Sequence, residues 1–222
     1  NLTPETVYYV WVKNNCETGL FSSWSSTYIF KTDCLAIASF TENFDDVNTP
    51  ELPSCWNKIM RGGESLSQYA AIETSFWESQ TEPISVRMDS DQSDMNAADL
   101  FLVSPNLSTL SLGTYRLKFF ARGNGSLQVG TLSTNDSDAV FTENSLGDVI
   151  TNNTWTEYVI EFANYTGTNQ YVGIRLATTS SNVYIDNVRW EPIPACPDVT
   201  AITVPSVTTS GATVEWLSGN AT

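Results

Sequence analysis

The side chains here that could do chemistry are carboxylates, aromatics and four cysteines, in a chain with no histidine. Without histidine there is no Ser-His-Asp or Cys-His nucleophile, and the commonest transition-metal ligand is missing. Carboxylates suit a hard divalent cation, which takes six to eight oxygens. The run Asp89-Ser90-Asp91-Gln92-Ser93-Asp94 has that flavour. It lacks the glycine of an EF-hand loop, and Leu100 stands where the twelfth-position glutamate belongs, so it reads as a solvated turn. Asn135-Asp136-Ser137-Asp138 reads the same way. Paired carboxylates also serve glycoside hydrolysis, but no cleft motif singles out a pair, and the chain reads as non-catalytic. Cys16, Cys34, Cys55 and Cys196 fit no zinc spacing. An even number in an acidic chain implies disulfides and an oxidising compartment.

The elements that must position these groups are strands. Period-two alternation runs through Val7–Val12, Tyr115–Phe120, Thr156–Phe162, Tyr171–Leu176 and Asn182–Val188. Turn residues such as Gly123-Asn124-Gly125 punctuate them. Many short strands separated by such turns predict an all-β sandwich or barrel. With 41 % hydrophobic residues and 222 positions the chain can bury a substantial core. Twenty-five acidic residues against ten basic ones give a formal charge of −15, and no basic cluster offsets it, which excludes nucleic acid as a partner. No run approaches the roughly 18 apolar residues of a membrane span. Beginning on Asn1 with no leader, the chain is expected to be a piece of something longer. Its seven Asn-x-Ser/Thr sequons read as composition rather than glycan sites.

Boundaries are expected near Asp33-Cys34 and in the proline-rich stretch Glu191-Pro192-Ile193-Pro194-Ala195-Cys196, read as a linker. They leave a short head (1–33), a central domain (34–194) and a short tail (195–222). The head, Leu2-Thr3-Pro4-Glu5-Thr6-Val7-Tyr8 through Trp24-Ser25 to Phe30-Lys31-Thr32, resembles the closing half of a fibronectin type III module. The resemblance implies that the Tyr8 hydroxyl bonds back to the backbone and that Val10 and Val12 point inward with it. The tail, from Cys196-Pro197-Asp198 to Ala212-Thr213-Val214-Glu215-Trp216, resembles the opening half of the same family, with Trp216 as its core tryptophan. Tail before head gives almost a whole module, as in a tandem array cut inside two modules. Cys196 and Cys16 then pair within their own modules, and Cys34 and Cys55 are left for each other.

The central landmarks run Phe40-Thr41-Glu42-Asn43-Phe44-Asp45, Leu52-Pro53-Ser54-Cys55-Trp56, Leu102-Val103-Ser104-Pro105, Trp155-Thr156-Glu157-Tyr158 and Tyr184-Ile185-Asp186-Asn187-Val188. In that order they resemble the jelly-roll domains of MAM and cleaved-adhesin type, found in gingipain adhesin regions. That resemblance implies a jelly-roll sandwich and a structural calcium ion, Ca2+, held by Glu42, Asp45, Asp46 and Asp186. It implies a core position for Trp56. Jelly rolls often stack surface aromatics on sugars, which nominates Trp77 first, then Tyr69, Trp155 and Tyr165. The expected function is a repeat unit of a secreted bacterial surface adhesin or extracellular filament, exported by the type IX route, with neighbouring repeats and glycans as partners. The alternative is an accessory carbohydrate-binding region of a secreted multidomain enzyme.

Overall fold

A computed structural model describes residues 1–17, 19–62, 66–91, 99–163, 165–178, 181–196 and 199–217. Asp94 of the first acidic turn lies outside them. The head holds β1 (Val7–Val10), β2 (Asn15–Glu17), β3 (Leu20–Phe21) and β4 (Tyr28–Lys31). The centre holds β5 (Phe40–Glu42), β6 (Asn57–Arg61), β7 (Ala71–Ser75), β8 (Ser85–Asp89), β9 (Asp99–Val103), β10 (Tyr115–Gly123), β11 (Ser126–Leu132), β12 (Phe141–Ile150), β13 (Thr156–Glu161), β14 (Tyr171–Leu176) and β15 (Asn182–Pro192). The tail holds β16 (Thr200–Val207) and β17 (Ala212–Leu217).

The central strands form two antiparallel layers, an all-β sandwich. One layer runs β13-β10-β15-β8-β7, with β5 also on β15; the other runs β12-β11-β14-β9-β6. β5 and β8 share one edge of β15 end to end: β8 pairs with Asn182–Ile185 and β5 with Val188–Trp190. Alternation drives the packing. Leu117, Phe119 and Ala121 of β10 and Val172, Ile174 and Leu176 of β14 turn inward at every second residue and are buried. Trp190 is fully buried, and its indole N–H donates to Thr109 Oγ1 at 2.9 Å. Such a ring is worth burying only because that one polar atom is satisfied.

β9 is buried on both faces. Leu100 and Leu102 join the main core, while Phe101 and Val103 join a second cluster with Ile59, Leu132 and Ala139. Gly123 permits the β10–β11 turn: its φ is +139°, and a Cβ there would lie 2.2 Å from the Asn182 carbonyl.

β15 runs through Pro192, opposite Tyr115, within the 34–194 bounds of the central domain. Proline fits at the end of a strand, where the missing N–H breaks no interior rung. Val10 and Val12 are 37 % and 63 % exposed, and Trp216 is 57 % exposed. β1 pairs with β4, and β16 with β17, as separate two-stranded sheets. A two-stranded sheet has no opposing layer to bury its apolar row. The Tyr8 hydroxyl accepts from the Thr3 N–H at 2.7 Å.

Candidate cation and glycan sites

The acidic group is built at the break between β5 and β8 along β15. The inward-facing set on β15 is Val183 and Ile185, then Val188 and Trp190, so its parity changes across Asp186-Asn187. There Asn187 has φ 51°, and the register against β10 shifts between Lys118 and Phe120. This bulge turns Asp186 into the protein, where it is wholly buried. Asp186 Oδ2 accepts from the N–H groups of Gln80 and Thr81 at 2.8 and 3.0 Å, and Oδ1 from Asn187 at 2.6 Å. Across the break, the turn after β5 carries the other acids. Phe44 is buried with φ 63°, a conformation a bulky residue rarely takes. Glu42 Oε1 accepts from its N–H at 2.8 Å. Asp45 Oδ1 accepts from the Ile84 N–H at 3.0 Å, tying the turn to the start of β8. Asp46 is exposed.

These groups repel one another. Burial raises the pKa of Glu42, as do the charges of Asp46 and Asp45, against the opposing pull of the Phe44 and Asn43 N–H groups. Burial also raises that of Asp186, with Asp45 adding to it and three backbone N–H groups opposing. Asp45 thus presses on an acid from each side of the break. Among the ion pairs of the described residues none involves these four carboxylates. The donor set fits a hard cation. The fit is incomplete in one respect: no three of the four bring oxygens within 4.8 Å of one another. The group that does so among the described residues is Glu5, Cys34 and Cys55. Its sulfurs are joined in a disulfide, S–S 2.17 Å, so they are not metal ligands. Cys16 and Cys196 are free and exposed.

The four nominated aromatics do not form one platform. Trp77 and Tyr69 are 73 % and 69 % exposed but flank β7 at opposite ends, with roughly 17 Å of strand between them. Trp155 is half-buried and precedes β13, the far edge of the same layer. Tyr165 packs against the main core, and its hydroxyl accepts from the Asn169 N–H at 3.2 Å. Trp56 meets Phe40 and Phe44 edge-on, with ring centroids 5.3 Å apart in both pairs, at the rim of the core.

Trp77 alone has a supported, open geometry. The Arg87 guanidinium lies over its ring, 5.1 Å from the centroid. Arg87 is held in turn by Glu73 at 3.0 Å and by Asp89. One face of the indole is thus propped while most of the side chain meets solvent. Beside it lies a shallow depression of about 270 Å³ lined by Thr49, Pro50, Glu73, Thr74 and Phe76. Arg87 gave no signal in the sequence, since it reaches Trp77 only because β7 pairs with β8. The turn Asn135–Asp138 is a local cap, with Asp136 Oδ1 accepting from the Asp138 N–H at 2.9 Å.

No protein-family model and no curated protein matches the sequence. Solved structures match the fold. The K2 cleaved adhesin domain of Lys-gingipain aligns with a TM-score of 0.52 at 15 % identity, over 69 % of this chain and 97 % of that one. The K1 domain of Lys-gingipain from Porphyromonas gingivalis W83 gives 0.48 at 14 % identity, over 71 % and 99 %. The CBM22-1 xylan-binding domain from Paenibacillus barcinonensis gives 0.46 at 9 %, over 72 % and 99 %. The first shows the fold of the part it covers, an all-β sandwich.

Proposed function

We propose that this chain is a non-catalytic unit of a secreted bacterial surface adhesin or extracellular filament, and that it contacts glycans through Trp77. The observation that carries the proposal is the exposed indole, propped on Arg87 beside a shallow depression. A flat ring fixed from behind can stack on a sugar face with little ordering left to do. Head and tail are halves of fibronectin type III modules, a reading supported by the Tyr8 hydroxyl on the Thr3 N–H. Neighbouring repeats space the sandwich from the cell.

Glu42, Asp45, Asp46 and Asp186 would hold a calcium ion. The support is the placement of four carboxylates around one break along β15, none of them in an ion pair among the described residues. Rotation of the carboxylates and backbone carbonyls would complete its shell. Pinning the first strand to the last in this way would make calcium a structural ion.

The test is binding to a broad glycan panel, in calcium and in EDTA, for the chain and for Trp77→Ala. Binding that Trp77→Ala abolishes supports the reading; no binding in either condition reduces the unit to a spacer. The alternative, an accessory region of a secreted enzyme, would place the same Trp77 surface beside a catalytic domain in the full-length protein.

A further inference from the structure

A second depression lies away from Trp77. It opens between the segment Lys31–Cys34 that leaves β4 and the ends of β6, β9 and β14 in the other layer. It encloses about 270 Å³, just under the usual span of small-molecule pockets of roughly 300–1,000 Å³, room for one ring-sized ligand. Two features hold it open. The Cys34–Cys55 disulfide fixes the segment to the start of β6, and the Ile37 N–H donates to the Asn106 carbonyl at 2.9 Å.

We propose that this cleft is a second saccharide site, one that takes a single neutral sugar ring. It shares a ligand class with the Trp77 reading but none of its residues. Its lining carries amide, aromatic and hydroxyl groups together: Asn57, Asn106, Asn135, Trp56 and Tyr171. Amides present a donor and an acceptor side by side, the pattern that neighbouring sugar hydroxyls match. Part of this capacity is unspent. Asn106 Nδ2 lies 3.3 Å from the Tyr171 hydroxyl, while Asn106 Oδ1 is buried with no partner. Turning the amide over moves the deficit to its other atom without removing it. A buried polar atom left in that state is costly.

The Tyr171 hydroxyl accepts from Asn106 and keeps its own proton to give. Asn57 is committed to Asn135, Nδ2 to the backbone carbonyl at 2.6 Å, and so fixes the floor. On the rim Lys31 and Asp33, both exposed, offer a donor and an acceptor of opposite charge. They balance locally, and a chain of net charge −15 disfavours an anionic sugar, so the ligand is neutral.

Titration of the full chain with methyl glucoside, methyl mannoside and methyl galactoside, followed by NMR of indole N–H and Asn side-chain amides, tests this. Saturable shifts of the Trp56 indole and the Asn106 amide are expected for at least one of the three. They should persist in Trp77→Ala. They should weaken about tenfold or more in Asn106→Leu, the usual consequence of losing a buried polar contact. Tyr171→Phe, which removes one oxygen only, covers the case in which Asn106→Leu does not fold. Shifts confined to the Trp77 indole would overturn the second site and leave the Trp77 reading standing. Unchanged Trp56 and Asn106 signals at millimolar sugar would overturn it as well. Shifts that survive both Asn106→Leu and Tyr171→Phe would place the sugar elsewhere.

Discussion

The central sandwich and the two end pieces use the same kind of strand and end in opposite states. β10 and β14 alternate apolar and polar residues and bury the apolar row completely. β1 places Tyr8 and Val10 on the face a whole module would bury, yet Val10 is 37 % exposed; in the tail Val214 and Trp216 are 47 % and 57 % exposed. Composition does not separate them. What differs is a second layer about 10 Å away, which the sandwich has and the end sheets lack. Alternation specifies which face should be buried; burial itself needs a partner surface. Stability should therefore reside in the centre.

The sharpest way to break that comparison is Trp190→Ala. Emptying a fully buried indole site should cost about 4 kcal/mol and lower the main thermal transition strongly. Trp216→Ala in the tail should leave the same transition within about 0.5 kcal/mol, as exposed substitutions do. Equal shifts would mean that head and tail share the sandwich's cooperative unit.

Replacing both Cys34 and Cys55 by Ser should cost about 3 kcal/mol, since their bond closes a loop of 21 residues that the unfolded chain would otherwise explore freely. Differential scanning calorimetry of the double variant against the parent measures it.

Calcium should follow closely. At a hundredfold excess over its dissociation constant it should stabilise the fold by about 2.7 kcal/mol, and EDTA should reverse the gain. The sign of the pH dependence without calcium is fixed by Glu42 and Asp186. Their folded pKa values lie above the ordinary 4.5 and 3.8, so the folded state binds these protons more tightly than the unfolded chain. That stabilisation is full below the ordinary values and is lost as pH rises through the raised ones. The calcium effect should accordingly grow from pH 4 to pH 7. A melting temperature indifferent to calcium across that range would remove the ion from the account.

Asp46→Asn, at the exposed member of the group, should slightly raise stability in EDTA by relieving Glu42, and should weaken the calcium response. Smallest of all on stability is Trp77→Ala, which should leave the melting temperature unchanged while removing glycan binding at that surface. A large loss of stability would recast Trp77 as a packing residue.

Much of this was legible in the residues. Alternation in β10, β13, β14 and β15 announced an all-β sandwich, and Gly123-Asn124-Gly125 marked a real turn. The Cys34–Cys55 bond was implied by the module resemblance at either end. Pro192 ends β15 opposite Tyr115, inside the expected central domain, at a rung where its missing N–H breaks no interior pairing. The candidate sites were legible only in part. Trp77 stood out among polar neighbours, but nothing in its spacing named Arg87, which comes from the adjacent strand. The cleft with Asn106 and Tyr171 joins positions 65 residues apart, beyond any local pattern.

By itself, then, the sequence determined chemistry and periodicity: no histidine for acid–base work, excess carboxylate for a cation, and strands with one apolar face each. Those follow from residue type and from the two-residue repeat of a strand, which are local properties. Only the tertiary structure decided which acids confront one another, which aromatics stay in water and which apolar rows find cover. Each of those depends on register between distant strands, and one bulge, at Asp186-Asn187, is enough to move a carboxylate from the surface to the interior.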